Sequence, residues 1–125
     1  MNLEYKELAS DVLKMNRSAL ARAITISESL KPEHRVLSEK LISELLPNTG
    51  GAIRLAISGP PGVGKSSFIE KLGLHIVRLG KKLAVLAIDP SSPISGGSIL
   101  GDKTRMVDLS REQHCFIRPS PAGRE

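Results

Sequence analysis

Gly59-Pro60-Pro61-Gly62-Val63-Gly64-Lys65-Ser66 sets glycines, a lysine and a hydroxyl at the spacing G-x-x-x-x-G-K-[ST], with every fixed position filled. The chemistry these residue types support is the holding of a phosphate chain. Glycines let the backbone turn tightly enough for successive N–H groups to point at phosphate oxygens, and a helix that follows adds its positive N-terminal end. Lys65 brings a full positive charge to the β- and γ-phosphates, and the Ser66 hydroxyl is a hard oxygen donor suited to Mg²⁺. The alternative, a Gly-rich turn that merely caps a helix with Lys65 in solvent, does not require all four fixed positions at once.

Such a cradle must be positioned by a strand before it and a helix after it. "AIRLAIS", residues 52–58, is a short β-prone run, and Lys65 to about Leu79 is patterned as a helix. "KKLAVLAIDP" supplies a second, continuously apolar strand of the kind usually buried on both faces of a parallel sheet. The three make a right-handed βαβ unit. A short helical segment near Arg105 to Arg111 and a third strand, "HCFIRP", are expected to follow.

Asp89 ends the second strand, and ligands of open α/β sheets gather at the carboxyl ends of the strands. That location suits a carboxylate near Mg²⁺ or an attacking water, although an Asp that caps the turn into Pro90 accounts for it equally well. Asp102 follows the Ser/Gly-rich loop "DPSSPISGGS" and reads either as a helix N-cap or as a metal-facing residue. Lys103, Arg105 and Arg118 read as surface charges, and His34, His75 and His114 as structural. Cys115 reads as a core residue of its strand.

The region from Leu3 to about Leu46 has apolar residues at helical spacing, with Leu37, Leu41 and Leu45 as the clearest series. Two or three helices are expected, with breaks near Lys14 to Ser18 and at Lys31-Pro32. "LPNTGG" then punctuates the chain, so the expected division is a helical region over 1–50 and a nucleotide-binding region over 51–125.

Composition narrows the function. The chain of 125 residues is 40% hydrophobic but only 2% aromatic, which leaves little for stacking on nucleic-acid bases. Its net charge of +5 is scattered among acidic residues and forms no basic run, so nucleic-acid binding is not expected. A single cysteine rules out an intramolecular disulfide and fits a reducing compartment. Without a signal-peptide-like start or a membrane-length apolar span, a cytoplasmic protein with no membrane partner is expected.

"GPPGVGKSSF", "VLAIDPSSPISGGSILGDKTRM" and "FIRPSP" follow one another in the order and spacing of the MeaB/ArgK family of P-loop GTPases, which the chain resembles. "LARAITISES" is similar to that family's helical lead-in. The resemblance implies a P-loop NTPase α/β fold with a mainly parallel sheet flanked by helices and preceded by a helical region. It implies a GTPase that binds GTP, GDP and Mg²⁺ and serves as a chaperone of adenosylcobalamin-dependent methylmalonyl-CoA mutase in cofactor loading and protection. Gly59, Pro60, Pro61, Gly62, Val63, Gly64, Lys65, Ser66 and Ser67 would line the phosphates. Ser66, Asp89 and Asp102 would surround Mg²⁺, with Lys65, Asp89 and Asp102 as the catalytic set and Pro90 to Lys103 as a switch segment.

The family's Asn-Lys-x-Asp guanine-reading motif does not occur in these residues. The chain is therefore expected to be the N-terminal part of such a GTPase, as a fragment or a truncated gene product, with an incomplete sheet and a homodimer only in the full-length form. Two alternatives stand beside this one, and only the first uses the same cradle. One is an ATPase or kinase linked to amino-acid transport, and the other is a non-catalytic interaction module that docks through its N-terminal helices.

Overall fold

The computed structural model of the chain describes residues 3–89 and 106–121. The chain divides into two compact units, Met1–Leu55 and Ala56–Glu125, each with its own hydrophobic core.

The first unit consists of α1 (Glu4–Leu13), α2 (Arg17–Glu28) and α3 (Pro32–Leu45), followed by a 3₁₀ turn at Leu46–Asn48. Each boundary has a local cause. After α1 the chain reverses through Met15, whose φ of 65° is left-handed, and the Asn16 N–H bonds back to the Asp11 carbonyl at 3.0 Å. Asn16 then caps α2, its Oδ1 accepting from the Ala19 N–H at 3.0 Å. Pro32 occupies the first turn of α3, where its missing N–H costs nothing.

All three helices pack on one another. Their core is Leu8, Ala9, Ala19, Ala23, Ile26 and Leu41, with Leu37 and Leu45 packed against it. The expected Leu37, Leu41, Leu45 stripe is thus the buried face of α3. Small residues at 9, 19 and 23 allow the helices to approach closely, and buried Ser38 is satisfied by donating to Ser27 Oγ at 3.2 Å.

In the second unit, α4 (Lys65–Arg78) leads into β1 (Leu83–Asp89), and α5 (Val107–Ser110) leads into β2 (Cys115–Pro121). β1 and β2 pair in parallel, from Leu83 opposite Cys115 to Asp89 opposite Pro121. Gly80, with φ of 75°, ends α4 in the left-handed conformation that a side chain would resist, and the Lys81 N–H reaches the Ile76 carbonyl at 3.3 Å. The core joins Val77, Met106, Leu109 and Cys115, with Ile69, Leu83, Val85 and Ile117 packed against it.

One contact sets the spacing of α4 from its neighbours. A Cβ at Gly73 would lie 2.7 Å from Leu109 Cδ2 and 2.9 Å from Leu83 Cδ2, so the absent side chain is what admits both leucines. Leu109 is fully buried as a result.

Three expectations are corrected. Residues 52–58 form no strand, and Ile53 and Leu55 are 96% and 68% exposed. The physical reason is pairing: β propensity alone does not hold a strand, and among the described residues β1 and β2 pair only with each other. The apolar run of β1 is likewise covered on one face only by the described residues. Leu83 and Val85 meet the core, whereas Ala84 and Leu86 are exposed. Arg118, expected on the surface, is half-buried opposite Leu86.

Asn16→Ala is expected to destabilise the helical unit by about 1 kcal/mol, the usual loss of an N-cap, read as a lower thermal midpoint. For Gly73→Ala, better helix propensity returns about 1 kcal/mol, but overpacking against a buried leucine costs about 1–3 kcal/mol. A lower urea midpoint is expected, and an unchanged or raised one would show that Leu109 shifts freely.

Candidate functional site

The loop before α4 is bent by two glycines. Gly62 and Gly64 have φ of 79° and 96°, a region that costs an L side chain roughly 1–2 kcal/mol. Pro60 and Pro61 shape the entry to this bend but carry no N–H, so backbone donors begin at Gly62. Gly64 is the N-cap of α4, and its carbonyl accepts from the Phe68 N–H at 3.0 Å. Gly64 has no side chain with which to cap the helix.

Lys65 closes the loop. Its Nζ donates to the Gly59 carbonyl at 2.6 Å, and a Cβ at Gly59 would stand 3.3 Å from Val63 Cγ1 and 3.6 Å from Lys65 Cδ. Gly59 therefore lies directly beneath the lysine stem. The ammonium is held across the loop before any phosphate arrives. The loop from Gly59 to Gly64 is exposed together with Ser67, while Lys65 and Ser66 are half-buried at the first turn.

Left-handed glycines, a helix N-terminus and a tethered ammonium are together the chemistry that fits a polyphosphate. A hydroxyl at Ser66 adds a donor type suited to Mg²⁺.

The return of the chain fixes where Asp89 stands. α4 and β1 pack on one another and are joined by residues 79–82 alone, so β1 runs back along the helix. Fourteen helical residues span about 21 Å and seven strand residues about 23 Å, so the carboxyl end of β1 returns toward the cradle end of α4. Asp89 is the last residue of that strand, paired in register with Pro121. The expected switch segment from Pro90 to Lys103, with Asp102 in it, lies outside the described residues, as does Arg105. Among the described residues no cluster of three or more His, Cys, Asp or Glu side chains is arranged to hold a metal.

Of the other residues singled out, Cys115 is buried in the core of the second unit. His34 Nδ1 lies 2.7 Å from Ser29 Oγ at the α2–α3 turn. Glu70 was not anticipated. Its Oε1 accepts from the Asp108 N–H at 3.0 Å, joining α4 to the start of α5. The one signal for it in the sequence is its i+4 spacing from Ser66.

Comparison with known proteins agrees with this geometry. A family model described as methylmalonyl Co-A mutase-associated GTPase MeaB matches residues 20–125. A probable GTPase of Mycobacterium bovis is 54% identical over 116 residues, covering 93% of this chain and 34% of that protein. The mouse methylmalonic aciduria type A homolog, a mitochondrial protein, is 46% identical over 126 residues, covering 93% of this chain and 30% of its own length. The crystal structure of an LAO/AO transport system kinase is 36% identical with a TM-score of 0.78, covering 97% of this chain and 35% of that one. The chain thus spans about a third of the length of these relatives.

No helix among the described residues is long and apolar enough to cross a membrane. The fold is that of a P-loop NTPase, and the span the family model matches takes in α3, the glycine-rich loop and the second unit, while α1 lies before it. The chain accordingly belongs to the family of the methylmalonyl Co-A mutase-associated GTPase MeaB.

Proposed function

We propose that the chain binds GTP and GDP with Mg²⁺ at Gly59–Ser67. In the GTPase to which it belongs, this binding would drive a chaperone cycle on an adenosylcobalamin-dependent methylmalonyl-CoA mutase, governing cofactor loading and protecting the enzyme. The observation that carries the nucleotide part is the tethered Lys65 over a loop bent by left-handed glycines. The mutase part rests on the family's description as mutase-associated. A helical region over 1–50, a nucleotide region over 51–125, a cytoplasmic location and a homodimer in the full-length form complete the proposal.

The residues divide the work by their chemistry. On binding, Lys65 Nζ would exchange the neutral Gly59 carbonyl for ionised phosphate oxygens, so that a bond with one charged partner becomes one with two. Backbone N–H groups from Gly62 onward and the first turn of α4 take the remaining oxygens. Ser66, Asp89 and Asp102 would hold Mg²⁺, which supplies charge neutralisation on the β- and γ-phosphates. Asp89 ends β1, and ligands of open α/β sheets gather at the carboxyl ends of strands, which supports its role, while Asp102 enters on resemblance. Intrinsic hydrolysis in GTPases is slow, about 10⁻⁴ to 10⁻² s⁻¹, which suits a timer more than a metabolic catalyst.

A second proposal, an ATP-using kinase linked to transport, is favoured by the name of the LAO/AO transport system kinase. The same cradle serves either chemistry.

Titration of the chain with fluorescent GTP, GDP and ATP in Mg²⁺ separates the two. Preference for guanine nucleotides supports the GTPase, and preference for ATP supports the kinase. Lys65→Ala is expected to weaken binding by about tenfold to a hundredfold, the loss of one charged hydrogen bond. Equal affinity in that variant would remove the cradle from the account. For the chaperone role, a nucleotide-dependent complex with methylmalonyl-CoA mutase is expected by size-exclusion chromatography. Its absence with every nucleotide, or an equally good complex after removal of the whole nucleotide region, would refute that role.

A further inference from the structure

Val63 stands between the two left-handed glycines, so the bend of the loop decides where its side chain goes. That side chain is aliphatic and 62% exposed, and it belongs to neither hydrophobic core. What it meets is the notch where Gly59 has no side chain. The position a Cβ would take at Gly59 lies 3.3 Å from Val63 Cγ1, 3.6 Å from Lys65 Cδ and 3.8 Å from Lys65 Cγ. The valine methyl and the lysine stem therefore border one empty position.

That arrangement bears on how Lys65 is held. Its Nζ reaches the Gly59 carbonyl at 2.6 Å, but the bond is exposed, and water competes for both of its ends. A lysine confined to one pose gives up much of its rotamer freedom, a loss of the same order as a net hydrogen bond returns. The balance is close enough for contacts along the stem to decide whether the pose persists. Val63 is suited to supply one, because β branching restricts its χ1 and keeps the methyl where the backbone puts it.

We propose that Val63 is a positioning residue for Lys65. With Gly59 bare, its Cγ1 methyl walls the notch beside the lysine stem, and so keeps the ammonium across the loop for an incoming phosphate chain. The valine side chain acts through Lys65 and not on phosphate. The inference rests on the proposal that Lys65 binds phosphate at this cradle.

A double-mutant cycle tests it. Fluorescent GDP is titrated in Mg²⁺ against the unmodified chain, Val63→Ala, Lys65→Ala and the double variant, with Val63→Thr as a control of shape. Val63→Ala is expected to weaken binding by about threefold to tenfold, within the coupling usual for neighbouring residues. In the Lys65→Ala background the same change is expected to alter affinity by less than about twofold, because the side chain it acts on is gone. Val63→Thr keeps the branch and is expected to retain most of the affinity. Unchanged affinity in Val63→Ala, an equal loss in both backgrounds, or a loss in Val63→Thr as large as in Val63→Ala overturns the positioning role alone. An equal loss in both backgrounds is the mark of a merely structural effect on the loop. No binding by the unmodified chain, or none lost in Lys65→Ala, overturns both this proposal and the phosphate role of Lys65 beneath it.

Discussion

The second unit depends on a missing methyl group. At Gly73 the two leucines from β1 and α5 come within reach of the α4 backbone, closer than any side chain there would permit. That contact brings helix, strand and short helix into one core, although the described residues offer only two strands to build on. A parallel pair of strands has little stability of its own, because parallel sheets need cover. The helix that supplies this cover is also the helix whose N-terminus forms the cradle, so core packing and phosphate geometry constrain the same fourteen residues.

The cradle itself needs little from the rest of the molecule. Its bend comes from glycines at left-handed φ and its ring from Lys65 reaching the Gly59 carbonyl, all within seven residues. Such a loop is preorganised: under the proposed function, phosphate would replace one acceptor by a better one without the loop having to be ordered first. Specificity for a base or a reaction needs groups brought from elsewhere. That is why one cradle is compatible with both a GTPase and a kinase among its relatives.

Cover also explains where the sheet departs from expectation. The run at 52–58 has the composition of a strand and the place of one in the motif, yet lies unpaired with Ile53 almost wholly exposed. The open face of β1, with Leu86 exposed, has the same origin. β propensity describes how well a residue fits a half-buried pleated surface, and where the described residues offer no such surface it has nothing to act on.

Local chemistry was readable without coordinates. The break at Asn16, the proline start of α3, the Leu37, Leu41, Leu45 stripe, the cradle and the helix after it all follow from bonds and burial within a few turns of chain. So does Cys115 as a buried strand residue. What depended on distant partners was not readable in that way: which strands pair, which face of β1 is covered, that Arg118 is half-buried, and that Glu70 reaches across 38 positions to the Asp108 backbone. A hydrogen bond within one helical turn is implied by spacing alone. One that joins two elements exists only when packing has set their distance, and here Gly73 and Leu109 set it.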